Sequence, residues 1–338
     1  MKRLTALAAG AALLLAAGCG GSGPETTVNA DGEELTKVTL TLNWYPYGEH
    51  APFYYGKAEG IYEDHGIDLE IRAGQGSQKT VQATAAGQTD FGWADTPALL
   101  AGVSQGLDVK SVGVFLQTTP SSVQFFTEQG IESVADLKGR TIATTAGDAL
   151  SATFPTFLAA NGLSESDVTM QNTDAAGKMA AVMSGQTDAL LGYATDQGPT
   201  MQEKAGKEVS YLRFADHGLN FYSNGLLTSQ RMLDEHRDLV QRMVDATSEA
   251  WAAAEQDQDA AVQAMAGASE QLPSAQVLAD QFASTLELLY TENTEGGRPG
   301  VNVEEDWRAT IEVFHSAGVI ETAEEPGAYW ETDLSPKE

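Results

Sequence analysis

The chain has 338 residues and carries 48 Asp and Glu against 19 Lys and Arg, which gives a formal net charge of −29. This excess of negative charge excludes nucleic-acid binding through phosphate contacts and disfavours docking on anionic lipid head groups. The length predicts two domains, and the single cysteine excludes an internal disulfide.

The N-terminus has the pattern of a bacterial signal peptide. Lys2 and Arg3 precede an apolar run over residues 4–17, which is shorter than the roughly 20 residues that cross a bilayer. Small residues directly before Cys19 resemble a lipobox, in which the thiol is lipidated and the chain is cut. We therefore expect a signal peptide over 1–18, a lipid anchor on Cys19 and an extracytoplasmic protein held at the outer face of the cell membrane or in the periplasm. The alternative is an ordinary secretory signal with an incidental cysteine.

Residues 19–36 contain almost nothing to bury and predict a flexible spacer, so the folded part is expected to begin near Lys37. The following residues alternate strands and helices. We expect strands over 37–42, 67–71 and 109–116, with helices over 54–61 and 97–103. This order predicts an α/β lobe.

The tetrapeptide Gly-Gln-Thr-Asp occurs twice, at residues 87–90 and 185–188. Each copy follows an Ala-rich amphipathic stretch and precedes a short apolar run that ends in an aromatic residue and an acid. This pattern predicts a helix, a tight turn and a buried strand in each of two lobes. Because ligands of open α/β sheets bind beyond the carboxyl ends of the strands, we expect a cleft between the lobes.

The second lobe is predicted to contain strands over 123–126 and 141–144, followed by a loop over 145–148 that opens a helix. From Leu226 onward the chain is predicted to be helical and to pack on the first lobe. We assign residues 37–118 and 224–338 to lobe 1 and residues 119–223 to lobe 2.

Aromatic residues are concentrated in residues 44–55, directly after the first strand. Planar side chains at a strand end can stack a planar ligand, which makes Trp44, Trp93 and Tyr193 candidates. Carboxylates near the same strand ends can accept hydrogen bonds from ring amino groups. These carboxylates are Glu49, Asp95, Asp148 and Asp196. A core role for the aromatic residues and a surface role for each acid are the alternatives.

Other chemistry is disfavoured by spacing. The five histidines are scattered, without the paired spacing that holds a transition metal, so we expect neither a metal nor a cofactor. Ser104 lies in a Gly-x-Ser-x-Gly sequence, but the predicted helix precedes it and the predicted strand follows it. A nucleophile elbow needs the reverse order, so we do not expect a serine hydrolase.

Several segments resemble the NMT1/THI5-like family of periplasmic binding proteins, namely residues 42–46, 50–53, 58–62, 86–92, 136–140 and 192–193. The resemblance covers about residues 37 to 320. It implies a type II periplasmic-binding-protein fold, in which two α/β lobes are joined by two hinge crossings, and a monomer that delivers its ligand to an ABC permease and ATPase. Family members similar at the first motif bind thiamine-precursor pyrimidines; relatives bind riboflavin, and more distant ones bind alkanesulfonates, taurine or nitrate.

The resemblance extends the set of expected ligand-binding residues, which then comprises Asn43, Trp44, Tyr45, Glu49, His50, Trp93, Ala94, Asp95, Thr145, Gly147, Asp148, Tyr193, Asp196 and Tyr222. Their acidic and aromatic character favours a neutral or cationic heteroaromatic ligand over an anion. We therefore predict a lipid-anchored solute-binding protein, not an enzyme, that captures a hydroxymethylpyrimidine or formylaminopyrimidine type of compound.

Three alternatives remain at this point. The first is a riboflavin, sulfonate, taurine or nitrate binding protein of the same fold. The second is a pyrimidine-synthase-type enzyme, whose fungal form relies on a cysteine-rich motif, whereas this chain has no cysteine after Cys19. The third is a sensor subunit that passes ligand occupancy to a membrane kinase.

Overall fold

A computed structural model describes residues 25–145, 149–270 and 272–337. The predicted signal peptide, the candidate lipidation site Cys19 and the candidate ligand-binding residues Gly147 and Asp148 lie outside the described residues. None of the helices in the described ranges combines the length and apolar character that a bilayer-spanning helix needs.

Strands and helices alternate along most of the chain. The strands are β1 (Thr26–Val28), β2 (Glu34–Thr41), β3 (Ile67–Arg72), β4 (Phe91–Asp95), β5 (Val109–Val114), β6 (Ser121–Phe126), β7 (Thr141–Thr144), β8 (Thr169–Asn172), β9 (Ala189–Tyr193), β10 (Val209–Arg213) and β11 (Asn224–Ser229). The helices are α1 (Ala51–Ala58), α2 (Ile61–Asp64), α3 (Ser77–Ala85), α4 (Thr96–Ser104), α5 (Ala149–Ala160), α6 (Ala175–Met183), α7 (Gln197–Ala205), α8 (Gln230–Glu235), α9 (Arg237–Gln256), α10 (Gln258–Ala264), α11 (Ala275–Leu286) and α12 (Glu304–Ser316).

The strands form two mixed sheets. The first has the order β1-β2-β4-β11-β5, with β3 paired to β2, and the second has the order β10-β6-β9-β7-β8. In the first sheet β2, β3 and β4 are parallel while β11 runs antiparallel between β4 and β5. In the second, β9, β7 and β8 are parallel, and β6 runs antiparallel between β9 and β10. The predicted α/β architecture of two lobes is confirmed.

The repeated tetrapeptide has the same structural role in both sheets. Gly87 and Gly185 adopt positive φ angles of 66° and 72° just after α3 and α6, a conformation that favours glycine. The Asp90 carboxylate accepts a hydrogen bond from the backbone N–H of Thr39 on the neighbouring strand, at 2.8 Å. The Asp188 carboxylate accepts one from the backbone N–H of Thr141, also at 2.8 Å. Each copy therefore fixes a buried strand to its parallel neighbour.

Two boundaries differ from the sequence-based expectation. The folded part begins before Lys37, because β1 pairs with residues 34–36 of β2 inside the segment predicted to be a flexible spacer. Leu226 was expected to be helical but lies in β11, where it pairs with Trp93 of β4. Its apolar neighbours suit a buried strand as well as a helix, and the partner strand that decides between them is distant in sequence.

Helix α9 of the tail packs on the first sheet, whereas α12 shares an apolar cluster with residues of both lobes. Buried residues of α9, including Met243 and Trp251, share an apolar cluster with Phe53 of α1 and Trp93 of β4. A second cluster is continuous between the lobes, since it contains residues of α4 and β5 together with residues of α5, β6 and α12. The chain crosses between the sheets near this second cluster, at residues 115–120 and 214–223.

A glycine loop supports the segment that follows β2. The N–H of Gly74 donates to the carbonyl of Trp44 at 3.0 Å, and the N–H of Gly76 donates to the carbonyl of Asn43 at 2.7 Å. A Cβ atom on Gly74 would lie 1.8 Å from the carbonyl oxygen of Leu42. The loop can approach this closely because residue 74 has no side chain.

We expect Gly74→Ala to lower the free energy of unfolding by about 1–3 kcal/mol, since the added methyl group must displace backbone atoms. Gly327→Ala is the matched control, because a Cβ atom there meets no atom within 4 Å and its φ angle is not positive. The control should change stability by less than about 0.5 kcal/mol. Urea titration of both variants measures the difference, and equal midpoints would contradict the close approach.

Candidate functional site

The first half of the site is a 3-10 turn, Gly48–His50, between β2 and α1. Pro52 near the start of α1 favours helix initiation there, since its fixed φ angle suits the first helical turn. The turn brings Glu49 and His50 into the interior, and both are fully buried. Buried polar groups need partners, so the hydrogen bonds of these two side chains define the local geometry.

The Glu49 carboxyl accepts three hydrogen bonds. The Tyr47 hydroxyl donates to Oε2 at 2.6 Å, while Trp93 Nε1 and Asn224 Nδ2 donate to Oε1 at 2.7 and 2.6 Å. Burial raises the pKa of Glu49 to about 7; the three donors lower it, and the charge of nearby Asp95 raises it slightly. The carboxyl therefore joins the turn to β4 and β11 and titrates near neutral pH.

His50 is neutral and holds the side chain of Asn43. The backbone N–H of Tyr47 donates to His50 Nδ1 at 3.3 Å, so the ring proton lies on Nε2 and is donated to Asn43 Oδ1 at 2.8 Å. Burial lowers the pKa of His50 to about 3. Asn43 in turn hydrogen-bonds to the Tyr47 hydroxyl. The imidazole is thus a positioning group, since both of its nitrogens are engaged by the protein.

The two lobes meet at Asp95, the acid at the end of β4. Asp95 Oδ1 accepts a hydrogen bond from Ser223 Oγ at 3.0 Å, and Oδ2 accepts one from the hydroxyl of Tyr193 at the end of β9. Ser77 Oγ accepts from the Asp95 backbone N–H at 3.1 Å. The acid of the first repeat and the aromatic residue of the second are therefore in direct contact, and the structure is closed at this point.

On the second lobe, Asp196 follows β9 and precedes α7. Burial raises the pKa of Asp196 to about 6, and the ammonium groups of Lys178 and Lys204 act in the opposite direction. Lys178 is itself buried and donates from Nζ to the carbonyl of Leu191 at 2.9 Å. Asp196 and Tyr193 lie at the carboxyl end of β9, the place that the sequence pattern indicated.

Trp93 and two other expected residues are enclosed by other side chains of the protein. The Trp93 indole stacks on Trp251 at 5.3 Å and packs against Phe53 and Phe115, so protein covers its ring. Ala94 is buried in the apolar cluster shared by the lobes. The Tyr222 ring packs edge-on against Trp307 of α12, and its hydroxyl donates to Asp306.

Trp44 and Tyr45 form an edge-to-face pair at 5.7 Å at the entrance of the turn segment. Trp44 is half-buried, and Tyr45 is 44% exposed. Their rings are thus more accessible than that of Trp93. Thr145, at the end of β7, has a buried hydroxyl with no hydrogen-bond partner among the described residues.

The structure adds residues that sequence analysis missed. Side-chain oxygens of four residues are buried without a hydrogen-bond partner in the described part of the chain: Gln124 Oε1, Thr195 Oγ1, Gln197 Oε1 and Asn224 Oδ1. Thr195 and Gln197 flank Asp196, so the second repeat was a usable signal for both. Asn224 and Gln124 lie within strands of ordinary composition, and only the sheet pairing reveals them.

The arrangement is rich in hydrogen-bond acceptors. Glu49, Asp95 and Asp196 supply carboxyl groups, and the unpartnered amide oxygens supply further acceptors. Within the described part of the chain, no three His, Cys, Asp or Glu side chains are grouped so that they could hold a metal ion. Such a site suits the binding of a molecule with several N–H or O–H donors.

Comparison with known proteins gives consistent matches. A family model described as NMT1/THI5 like matches residues 48–261. The riboflavin-binding protein RibY of Chloroflexus aurantiacus is 31% identical over 219 residues, which cover 63% of this chain and 61% of the relative. The formylaminopyrimidine-binding protein of Halalkalibacterium halodurans is 27% identical over 220 residues, which cover 64% of this chain and 64% of the relative. The chain thus aligns with less than two thirds of the length of these curated relatives.

The crystal structure of the periplasmic aliphatic sulphonate binding protein SsuA from Escherichia coli has the same fold. Its TM-score is 0.69 at 17% sequence identity, and the match covers 89% of this chain and 94% of that chain. At this identity the match shows the two-lobe periplasmic-binding-protein fold and leaves the ligand open.

We expect Glu49→Gln to change how stability depends on pH. The pKa of Glu49 in the folded protein is raised from 4.5 to about 7, so its stabilising contribution is complete below about pH 4.5 and is lost as the pH rises to about 7. The loss amounts to a few kcal/mol, since one pKa unit corresponds to about 1.4 kcal/mol. The free energy of unfolding of the wild type, relative to the variant, should therefore fall across this range.

Urea unfolding at several pH values measures this difference. His50 works in the opposite direction, because its pKa is lowered from 6.5 to about 3 and its contribution is lost as the pH falls below about 6.5. His50 is present in both proteins, so the comparison isolates Glu49. Glu63→Gln, at an exposed acid of α2, is the control and should leave the pH profile unchanged. Parallel profiles for wild type and Glu49→Gln would contradict the assignment.

Proposed function

Because the chain belongs to the NMT1/THI5-like family, we propose that it is the solute-binding protein of an ABC importer. It captures a small planar heteroaromatic compound of the thiamine-precursor pyrimidine type between two closing lobes. The protein binds and releases this compound without covalent chemistry. Contacts that the ligand makes with both lobes drive hinge closure.

The observation that carries this proposal is the accumulation of carboxyl groups, of which Glu49 and Asp95 are buried and Asp196 is half-buried. Burial raises the pKa of Glu49 to about 7 and of Asp196 to about 6, and the charge of Asp95 further raises the pKa of Glu49. A second negative charge is therefore already unfavourable here, and an anionic ligand would increase the repulsion. A neutral or cationic ring that donates N–H bonds relieves it.

The unpartnered acceptors support the same ligand class. Asn224 Oδ1 belongs to the amide that also donates to Glu49, and Gln197 follows Asp196 directly. Leaving such oxygens unsatisfied costs about 1–3 kcal/mol each. An aminopyrimidine offers exocyclic amino hydrogens at a planar edge, and these can satisfy acceptors from both lobes at once. Trp44, with its half-buried indole, is the aromatic residue proposed to contact the ring face.

The proposal includes the location of the protein in the cell. Lipidation of Cys19 holds the protein at the outer face of the cell membrane, and the monomer passes its ligand to a permease and ATPase pair. The strongly negative surface favours anchoring by the acyl chain over attraction to anionic lipids.

We expect hydroxymethylpyrimidine or formylaminopyrimidine to raise the melting temperature of the protein. A ligand at about a hundred times its dissociation constant adds about 2.7 kcal/mol of stability. Thermal-shift titration should include riboflavin and thiamine as larger heterocycles, and taurine and nitrate as anions. A shift with taurine or nitrate and none with any heterocycle would overturn the proposed ligand class.

We expect Asp95→Asn and Asp196→Asn each to weaken binding of the best heterocycle about tenfold or more. A hydrogen bond to a charged group contributes about 1.5–3 kcal/mol, and the amide replaces the charged acceptor by a neutral one of similar shape. Asp64→Asn, at an exposed acid of α2, is the matched control and should bind like the wild type. Isothermal titration calorimetry measures the affinities, and unchanged values for both site variants would remove these acids from the ligand contacts.

A further inference from the structure

Helix α11 belongs to lobe 1 by its packing. Its residues Leu278 and Phe282 are buried with Ala51 of α1 and Ala254 of α9 in one apolar cluster. A Cβ atom on Gly48 would lie 2.3 Å from the carbonyl oxygen of Leu278, so the helix backbone rests directly on the 3-10 turn that carries Glu49. We therefore expect α11 and this turn to move together.

The same helix touches lobe 2 along its length. Before its first turn, Ser274 Oγ donates to Glu203 Oε1 of α7 at 2.5 Å. In its centre, Gln281 Nε2 donates to the backbone carbonyl of Asp196 at 3.0 Å. Just after its last turn, Glu287 accepts from Arg213 of β10 at 3.0 Å. The two outer contacts involve exposed side chains and contribute little.

Gln281 is different because it is fully buried and bridges the two halves of the candidate site. Its Oε1 accepts from the backbone N–H of Gly48 at 3.0 Å, next to Glu49. Its Nε2 donates to the carbonyl of Asp196, whose own side chain is a candidate ligand contact. One carboxamide thereby fixes the distance between a ligand-binding segment of lobe 1 and one of lobe 2.

We propose that α11 is a clasp that closes the lobes, and that Gln281 is its central positioning residue, which sets the register of the two half-sites in the closed state. Where this inference refers to a ligand, it rests on the proposed solute-binding function. When the lobes separate, Gln281 keeps its bond to Gly48 and loses the bond to Asp196. The half-site on lobe 1 thus stays assembled, while the complete site exists in the closed state alone.

Unlike α11, α12 is expected to keep its contacts when the lobes open. The backbone N–H of Tyr222, in the second crossing segment, donates to Thr310 Oγ1 of α12 at 3.0 Å, and the Tyr222 ring packs on Trp307. These contacts lie where the chain passes between the lobes, so they persist during a hinge motion. Opening therefore separates α11 from α7 and leaves α12 in place.

The test compares Gln281→Met with the wild type in the absence of added compound. All variants carry Cys19→Ser, which removes the single natural cysteine. Spin labels are attached to the cysteines of Asp64→Cys in lobe 1 and Glu165→Cys in lobe 2. The loss of a buried hydrogen bond changes an equilibrium constant by a factor of about two to twelve. Pulsed electron–electron distance measurements should therefore show that the ratio of open to closed molecules rises by that factor. Glu203→Ala, which removes an exposed clasp contact, should change the ratio less than about twofold.

Gln281→Glu is the second variant, measured at a pH above the titration of its carboxyl, because the ionised carboxylate keeps an acceptor for the Gly48 N–H and has no donor for Asp196. It should open the lobes as Gln281→Met does, with circular dichroism confirming that both variants are folded. With hydroxymethylpyrimidine or riboflavin as the probe, the apparent dissociation constant should rise in proportion to one plus the open-to-closed ratio. Unchanged distance distributions in both folded variants would overturn the clasp. If neither probe binds, the proposed ligand class fails, while the distance distributions still decide the clasp.

Discussion

The burial of the Glu49 carboxyl group is the interaction on which the rest of the site depends. A carboxyl without solvent must be satisfied by protein donors, and here Tyr47, Trp93 and Asn224 supply them. These donors come from the turn after β2, from β4 and from the distant strand β11. The position of the turn, the rotamer of a core tryptophan and the start of β11 are therefore set together. The neighbouring acid Asp95 is placed by the same strands.

This arrangement gathers negative charge where the two lobes meet. The protein tolerates it because donors surround each acid: Ser223 and Tyr193 at Asp95, and the ammonium of Lys178 near Asp196. In the proposed function, closure has an electrostatic cost that a donor-rich ligand reduces. In the clasp described above, Gln281 contributes without charge, since an amide can donate to one lobe and accept from the other.

Much of the fold was predictable because its signals are local. The twin tetrapeptides indicated a helix, a turn and a strand in each lobe, and Gly87 and Gly185 occupy the expected turns. The surroundings of Trp93 were not predictable: only Ala94 separates it from Asp95, yet the Trp93 indole packs in the apolar core and the Asp95 carboxylate contacts Tyr193 of the second lobe. Leu226 needed knowledge of a distant partner strand. Gln281 is 233 residues from Gly48, so no local pattern could join them.

The hydrogen bonds around His50 also have a direction. The ring proton of His50 is donated to Asn43, the Asn43 amide bonds to the Tyr47 hydroxyl, and that hydroxyl donates to Glu49. Each donor points the same way, so the dipoles add and this series of hydrogen bonds is polarised toward the carboxyl group of Glu49. A cation or a proton that neutralises Glu49 weakens the pull on every link. The charge state of Glu49 therefore influences the hydrogen bonds that end at His50, the residue directly before α1.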